Sequence, residues 1–412
     1  MLPCLRKPVW LLQAVALATL LPVVYSHIIA GYYADWTSVT LPADKIPYSS
    51  MTHLFYAFGS IAANGTIGLE NEKLLRTVIE HAHHHKVKVL LSLGGYSGSV
   101  DISAVMRDET LRNVLSNNIA TYIRWLDLDG IDLDWEFPGM AGTKCNLFDP
   151  AQDSNNLLTF LASLHSNLAA NFPRDPKLIT MAVRGETFMK DEKPMTDIAP
   201  FARYLDFVNV MLYDIYGASW SPTAGPNAPL FSKDGTFSVQ QAIDNWTQAR
   251  FPASKLVMGL PMYGRSFTVV ETPTRTNLYV KIRNTQDSGD SDDALYTPPC
   301  PKEPTTYSGV WKWRNLRSQG VLTNATTAGA GWVRYFDDQS GTPWLYNAQN
   351  RTVISYDDPL TFQSKFRLAI ANRLAGVMVW DLNQDNGELM GALQPYRQTA
   401  VVLGALMQGR ET

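Results

Sequence analysis

Neither sign of charge predominates in this chain. Thirty-five Lys and Arg stand against 38 Asp and Glu, a formal net charge of −3. That balance leaves no basic footprint for nucleic acid or an anionic membrane. Low-complexity and tandemly repeated segments are absent, and a composition 45% hydrophobic and only 18% charged excludes a disordered chain. No apolar run beyond the N-terminus reaches spanning length; Ala400 to Met407 is only a short apolar tail. There is no phosphate-binding P-loop, no GxSxG nucleophile elbow and no HExxH metal helix. Cysteine is nearly missing, with three residues in 412.

The first 26 residues read as a leader. Arg6 and Lys7 form a basic start, Val9 to Leu21 is mostly apolar, and Val24 and Ser26 suit cleavage before His27. Gln13 and Pro22 interrupt the run, which is too short for a membrane span. The expectation is a secreted, extracellular chain with no membrane contact once the leader is removed. Cys4 leaves with it, and Cys145 and Cys300 remain as a pair in a compartment where disulfides persist. Sequons at Asn64, Asn245, Asn324 and Asn350 permit glycosylation in a eukaryotic host.

Short β-branched and aromatic runs alternate with helical stretches, the pattern of βα units around a parallel sheet. Strands are predicted from Ile28, Thr52, Val87, Gly130, Lys177, Phe207, Leu256 and Gly376. Eight strands are the number for a (β/α)8 TIM barrel, an α/β fold. Between them, Asn71 to His85 places Leu74, Leu75, Val78, Ile79 and Ala82 on one helical face. Asp358-Pro359 opens a later helix that Gly376 is expected to close. One interval breaks the rhythm: 120 residues separate Leu256 from Gly376, against about 31 per unit in such a barrel. The surplus holds Trp311, Trp313, Trp332 and Trp344 and reads as a small inserted α+β domain rather than a structureless loop. The expected organisation is therefore a leader at 1–26, a barrel at 27–268 and 353–412, and an insert at 269–352.

The most informative segment runs from Asp129 to Glu136 (DGIDLDWE). With a period of two, Asp132, Asp134 and Glu136 share one face and Ile131, Leu133 and Trp135 the other. In a barrel strand the apolar set packs under the helices, so three carboxylates line the interior towards the C-terminal mouth. Burying three like charges in a row is costly, so at least one retains its proton near neutral pH. Glu136, nearest the mouth, is placed to use that proton as a general acid. Two other readings stay open on the residues alone: an amphipathic strand with its carboxylates in water, and an oxygen-ligand site for Mg²⁺ or Ca²⁺. His81, His83, His84 and His85 raise a similar choice between a metal clasp and a solvated helix end, where cationic side chains suit the dipole.

This octapeptide resembles the signature of the chitinases of glycoside hydrolase family 18. Further motifs follow in the family's order: Ser92-Leu93-Gly94-Gly95, Met211-Leu212-Tyr213-Asp214, Met262 to Phe267 (MYGRSF) and Trp380. The resemblance covers essentially the whole chain after the leader. It implies a cofactor-free and metal-free hydrolase of chitin or chito-oligosaccharides, active as a monomer. It also implies that Glu136 protonates the glycosidic oxygen while the substrate's own 2-acetamido oxygen attacks the anomeric carbon. Asp134 is then expected to hydrogen-bond the acetamide nitrogen and Glu136, with Asp132 sharing its proton. Tyr213 is expected on the acetamide oxygen and Trp380 as the floor beneath the sugar. Tyr32, Phe58, Tyr96, Met211, Asp214, Trp220 and Arg265 are implied groove residues. Tyr96 departs from the Trp frequent at that position. A lectin that has lost the acid and an endoglycosidase of N-glycan cores are the rivals on the same fold; a metal-dependent barrel hydrolase is a third. Finally, Cys145 follows the fourth strand and Cys300 lies in the insert, so both stand at the barrel mouth. A bridge between them is geometrically feasible; two separate thiols are the alternative.

Overall fold

A computed structural model describes residues 23–232, 237–283, 285–396 and 398–401. It divides the chain into two units. In the smaller, Val23–Ser26 pairs antiparallel with Gln398–Val401; the rest of the predicted leader and most of the apolar tail lie outside the described residues. The larger unit, His27–Arg397, holds everything below.

Its centre is a closed barrel of eight parallel strands: β1 (Ile28–Ala34), β2 (His53–Ile61), β3 (Lys88–Gly94), β4 (Gly130–Asp134), β5 (Leu178–Arg184), β6 (Phe207–Met211), β7 (Leu256–Pro261) and a last strand, Gly376–Trp380, which pairs with both β7 and β1. β1 pairs with β2 and closes the ring. All eight coincide with the predicted runs to within one residue at the start. Strand alternation explains why they close. Ile131, Leu133 and Trp135 point into the layer between sheet and helices, while Tyr32, Phe55, Leu90, Phe207, Val257 and Met378 fill the lumen as a second cluster.

The helices cover the outer face. α1 (Glu72–His84) buries Leu75, Val78, Ile79 and Ala82, the stripe read from its spacing. Two crossovers differ from the expected pattern. Between β1 and β2, and between β5 and β6, the described residues contain only 3₁₀ turns and, in the second, a two-residue hairpin. Pro42, Pro47, Pro194 and Pro200 fall there, and proline interrupts the helical hydrogen-bond ladder. The helix Pro359–Ala371 begins at Asp358 with a reciprocal capping box to Thr361, as expected. It ends at Asn372, however, and Gly376 opens the last strand instead of closing the helix. The histidine cluster belongs to the fold: His81 and His85 both stack on Tyr48, and His83 Nε2 lies 2.9 Å from Asp129 Oδ2.

The insert is built on a five-stranded antiparallel sheet whose first strand, β8 (Tyr263–Thr268), starts earlier than the sequence boundary. β8 pairs with β9 (Val310–Lys312) and with β12 (Thr352–Ser355), and β10 (Val333–Asp337) and β11 (Thr342–Asn347) complete the order. The reason is continuity. Met262 alone separates β8 from barrel strand β7, so the barrel strand runs straight into the sheet. Phe267, Val269, Leu278, Val280, Trp344, Tyr346 and Val353 form this sheet's own apolar cluster, joined by Ala218 and Ala224 from the loop after β6. Cys145 and Cys300 are bridged, with Cα atoms 5.3 Å apart.

Where the insert rejoins the barrel, a buried ion pair is fully desolvated: Lys365 Nζ lies 2.6 Å from Asp357 Oδ2. Removing one partner leaves the other charge without compensation. Lys365→Met should therefore lower unfolding stability by about 3 kcal/mol, read from urea midpoints. Adding Asp357→Asn should recover most of the loss, since the site then holds no uncompensated charge; the neighbouring Asp358 keeps its partner Arg334.

Candidate active site

The C-terminal ends of the barrel strands bring most of the predicted residues together. β4 supplies Asp132 and Asp134, with Glu136 two residues further on. Asp132 is wholly buried, and its register partners across the sheet are Ser92 on β3 and Thr180 on β5. Both donate to it, Ser92 Oγ at 2.7 Å and Thr180 Oγ1 at 2.6 Å. Tyr32 Oη donates at 2.9 Å and itself receives Asn209 Nδ2 at 3.2 Å. Burial pushes the Asp132 carboxyl up, and these donors pull it back. Tyr32 is thus not an open groove wall. It is 1% exposed and acts as a strut beneath the acid row. With both oxygens of Asp132 engaged by hydroxyls, the row does not offer a cation three free carboxylates.

Asp134 is different. Only 4% exposed, it has no hydrogen-bond partner on Oδ1 among the described residues. Burial, then the charges of Glu136 and Asp132, hold its carboxyl well above the usual range.

Glu136 stands at the rim, partly exposed. Desolvation first, then the Asp214 charge, push its carboxyl up to about 8, against an opposing pull from Arg184. It is therefore neutral at neutral pH, a carboxylic acid with a proton to give. Tyr213, just past β6, is kept neutral by burial and by the nearby charges of Asp134, Asp214 and Glu136, which makes its hydroxyl a donor.

Asp214 turns back towards the insert. Its Oδ1 accepts Tyr263 Oη at 2.8 Å and Arg265 Nε at 2.7 Å. Arg265 also donates to the Ser308 carbonyl at 2.7 Å and lies 5.1 Å from the centre of the Trp220 ring. Phe58 stacks on Trp380 at 5.8 Å, and Trp36 also stacks on Phe58 at 6.1 Å. Trp36 is 61% exposed, Trp220 52% and Tyr96 48%, so flat aromatic surfaces line the mouth. Met211 is half-buried at the end of β6.

Several contributors escaped the sequence reading. Thr180 and Asn209 support the acid row, and their signal was a polar residue at an inward position of an otherwise apolar strand. Trp36, directly after β1, carried no motif. Ser99 and Asn146, which hold the Glu136 peptide, are legible only in three dimensions: Ser99 Oγ accepts Glu136 N–H at 2.9 Å and Asn146 Nδ2 donates to its carbonyl at 2.6 Å.

A closed parallel barrel with a buried acid row below a protonated rim carboxyl, ringed by exposed aromatics, defines a barrel glycoside hydrolase. The chain belongs to glycosyl hydrolases family 18, whose model matches residues 28–385, and is a glycoside hydrolase of the chitinase kind. A "chitinase-like effector" of Moniliophthora roreri is 31% identical over 95% of this chain and 97% of its own length. A "Probable chitinase 2" of Drosophila melanogaster is 30% identical over 75% of this chain and 58% of its own. A crystal structure of a Rhizomucor miehei chitinase superposes with a TM-score of 0.83 at 32% identity, covering 90% of this chain and all of the other.

The raised Glu136 carboxyl has a thermodynamic consequence. An unfolded chain ionises this group near the ordinary glutamate value, whereas the native state holds the proton up to about pH 8. Between those values the native state binds more protons, so this group makes stability fall as pH rises. Glu136→Gln removes that dependence. The variant's thermal midpoint should gain on the wild type progressively from about pH 4.5 to 8, then level off. A constant offset across the series would contradict the raised value.

Proposed function

We propose that this chain is a secreted, monomeric chitinase that hydrolyses β-1,4 linkages between N-acetylglucosamine units with retention of configuration. The observation that carries the substrate class is Asp134 Oδ1, a buried acceptor with no partner among the described residues. The N–H of a 2-acetamido group complements such an acceptor; a plain glucan can offer a 2-hydroxyl there but has no acetamido oxygen to attack the anomeric carbon.

The steps follow from that placement. Glu136 gives its proton to the glycosidic oxygen, and the leaving chain departs as an alcohol. The acetamido oxygen, steered by the Tyr213 hydroxyl, attacks the anomeric carbon and forms an oxazolinium ion. Asp134, drawing the amide N–H, stabilises the positive charge that develops there. Glu136, now ionised, takes a proton from water as the water opens the ring on the face the leaving group vacated. Two inversions give net retention, and Glu136 ends protonated as it began. Trp380 supports the sugar face, while Asp132, wholly buried, holds the strand below. The leader read at residues 1–26 supports export. A second reading, a sugar-binding protein of this fold without turnover, draws on the effector name carried by the Moniliophthora relative. The acid at position 136 favours the enzyme.

Glu136→Gln should keep binding of a chito-oligosaccharide, measured by calorimetry, while kcat falls at least about 100-fold, because the amide is isosteric but has no proton to transfer. A variant keeping more than a few per cent of the wild-type kcat would remove Glu136 as the acid.

Substrate assistance also constrains the ligand. Fully deacetylated chitosan should resist cleavage, since its amine has no oxygen to attack, and the first product from chitin oligomers should be the β-anomer by NMR. Efficient chitosan cleavage or an α-anomer would overturn the mechanism.

A further inference from the structure

The loop after β4 carries Glu136 into the mouth; Trp135 and Pro138 bury its base, but past Met140 little apolar burial holds it. Leu147 and Phe148, its largest apolar side chains beyond Met140, are exposed. Polar anchors replace a core. At the base, Asp153 is wholly buried and accepts the N–H groups of Gly139 and Asp149 at 3.2 and 2.8 Å. At the tip, the Cys145–Cys300 bridge ties the loop to the insert, helped by Cys145 N–H on Cys300 Sγ and by Lys144 paired with Glu303 at 2.8 Å.

Between base and tip the loop folds onto one atom, the Glu136 carbonyl oxygen. Asn146, 7% exposed, donates to it from Nδ2. Its orientation is unambiguous, because a carbonyl only accepts, so the facing atom must be the amide nitrogen. The other end of that amide, Oδ1, is held by the Thr143 hydroxyl. Gly142 packs so closely that a Cβ there would stand 2.3 Å from the same carbonyl. Meanwhile Ser99 holds the Glu136 N–H. Both polar ends of the residue are thus gripped, one by the loop after β3 and one by the loop after β4.

We propose that Asn146 is a positioning residue that aims Glu136, and that the Cys145–Cys300 bridge next to it keeps Asn146 in place, so that turnover depends on the disulfide. The proposal rests on Glu136 being the acid. The bridge adjoins Asn146 in sequence, and the loop's apolar anchors lie at its base, so beside the bridge the tip relies on polar contacts such as Leu147 N–H on the Val100 carbonyl at 3.0 Å. Reduction frees the tip, Asn146 leaves the carbonyl, and the carboxyl loses its fixed approach to the glycosidic oxygen. Displacements of about 1 Å in a reacting group can cost about 100-fold in rate, so a partial loosening should read as about 10-fold.

The test compares wild type, Asn146→Ala, Asn146→Asp, the double variant Cys145→Ser/Cys300→Ser and the triple combination with Asn146→Ala, on a fluorogenic chitobioside well below each thermal midpoint. Wild type treated with a phosphine reductant, with freed thiols counted by alkylation and mass, is a further arm. The expected result is kcat lower by about 10-fold in each, KM within about 2-fold, and a triple variant no worse than the weaker of its parents, because the changes act through one contact. Asn146→Asp, which places an anion against the Glu136 peptide, should also move the alkaline limb of kcat upward; a merely structural loss of stability would leave that limb in place. Folded Asn146 variants with wild-type kcat, or additive effects in the triple variant, overturn the proposal. If the Asn146 variants do not fold, fully reduced wild type decides it: undiminished kcat overturns the proposal, and a loss reversed by reoxidation supports it. Failure of the underlying reading is separate, because an active Glu136→Gln removes both, whereas an inactive Glu136→Gln with fully active Asn146 variants removes only this inference.

Discussion

Three carboxyl groups on one face of a single strand, turned into the lumen of a closed barrel, set the terms for the rest of this molecule. Water cannot solvate them all, and like charges at that spacing oppose one another. The protein resolves the conflict by treating each acid differently. Asp132 is surrounded by donors from three other strands, Asp134 is left with an unmatched oxygen, and Glu136 keeps its proton at the rim. A gradient of environment along β4 thus gives three like residues three separate tasks. Only a closed barrel can do this, because only there do neighbours approach the same strand from both sides and from across the lumen.

The insert is more than an attachment to that barrel. β7 passes into β8 across a single residue, so Tyr263 and Arg265 arrive over the mouth rigidly connected to a barrel strand. From there they fix Asp214, and Asp214 in turn raises the Glu136 carboxyl. The second tether, Cys145–Cys300, runs from the insert to the loop carrying the acid. The inserted sheet therefore reaches the Glu136 carboxyl by two routes, one electrostatic and one mechanical. Family 18 membership gives the chemistry a frame, while these two routes belong to the particular loops of this chain.

Strand positions, the buried stripe of α1, the Asp358 cap and the acid row are all readable from residue spacing. Each depends on a period of two or 3.6 and on local steric rules, which neighbours in sequence enforce. The errors have an equally local cause. Prolines in two crossovers replace helices with 3₁₀ turns, and Gly376, which reads as a helix stop, is separated by three residues from the cap at Asn372 and opens a strand. Composition changes at 269, whereas strand pairing, which composition does not report, begins at Tyr263.

By itself the sequence determined the barrel and the interior face of β4, because alternation along one strand is enough to send Asp132, Asp134 and Glu136 the same way. The tertiary structure alone decided that Asp132 is paired, that Asp134 Oδ1 is unmatched among the described residues, and that burial raises the Asp134 and Glu136 carboxyls. It moved Tyr32 from the groove to a buried strut, brought Trp36 beside Phe58, joined Cys145 to Cys300 and set Asn146 on the Glu136 carbonyl. Those outcomes turn on groups dozens to hundreds of residues apart, and proton affinity and hydrogen-bond satisfaction respond to distance in space rather than to order along the chain.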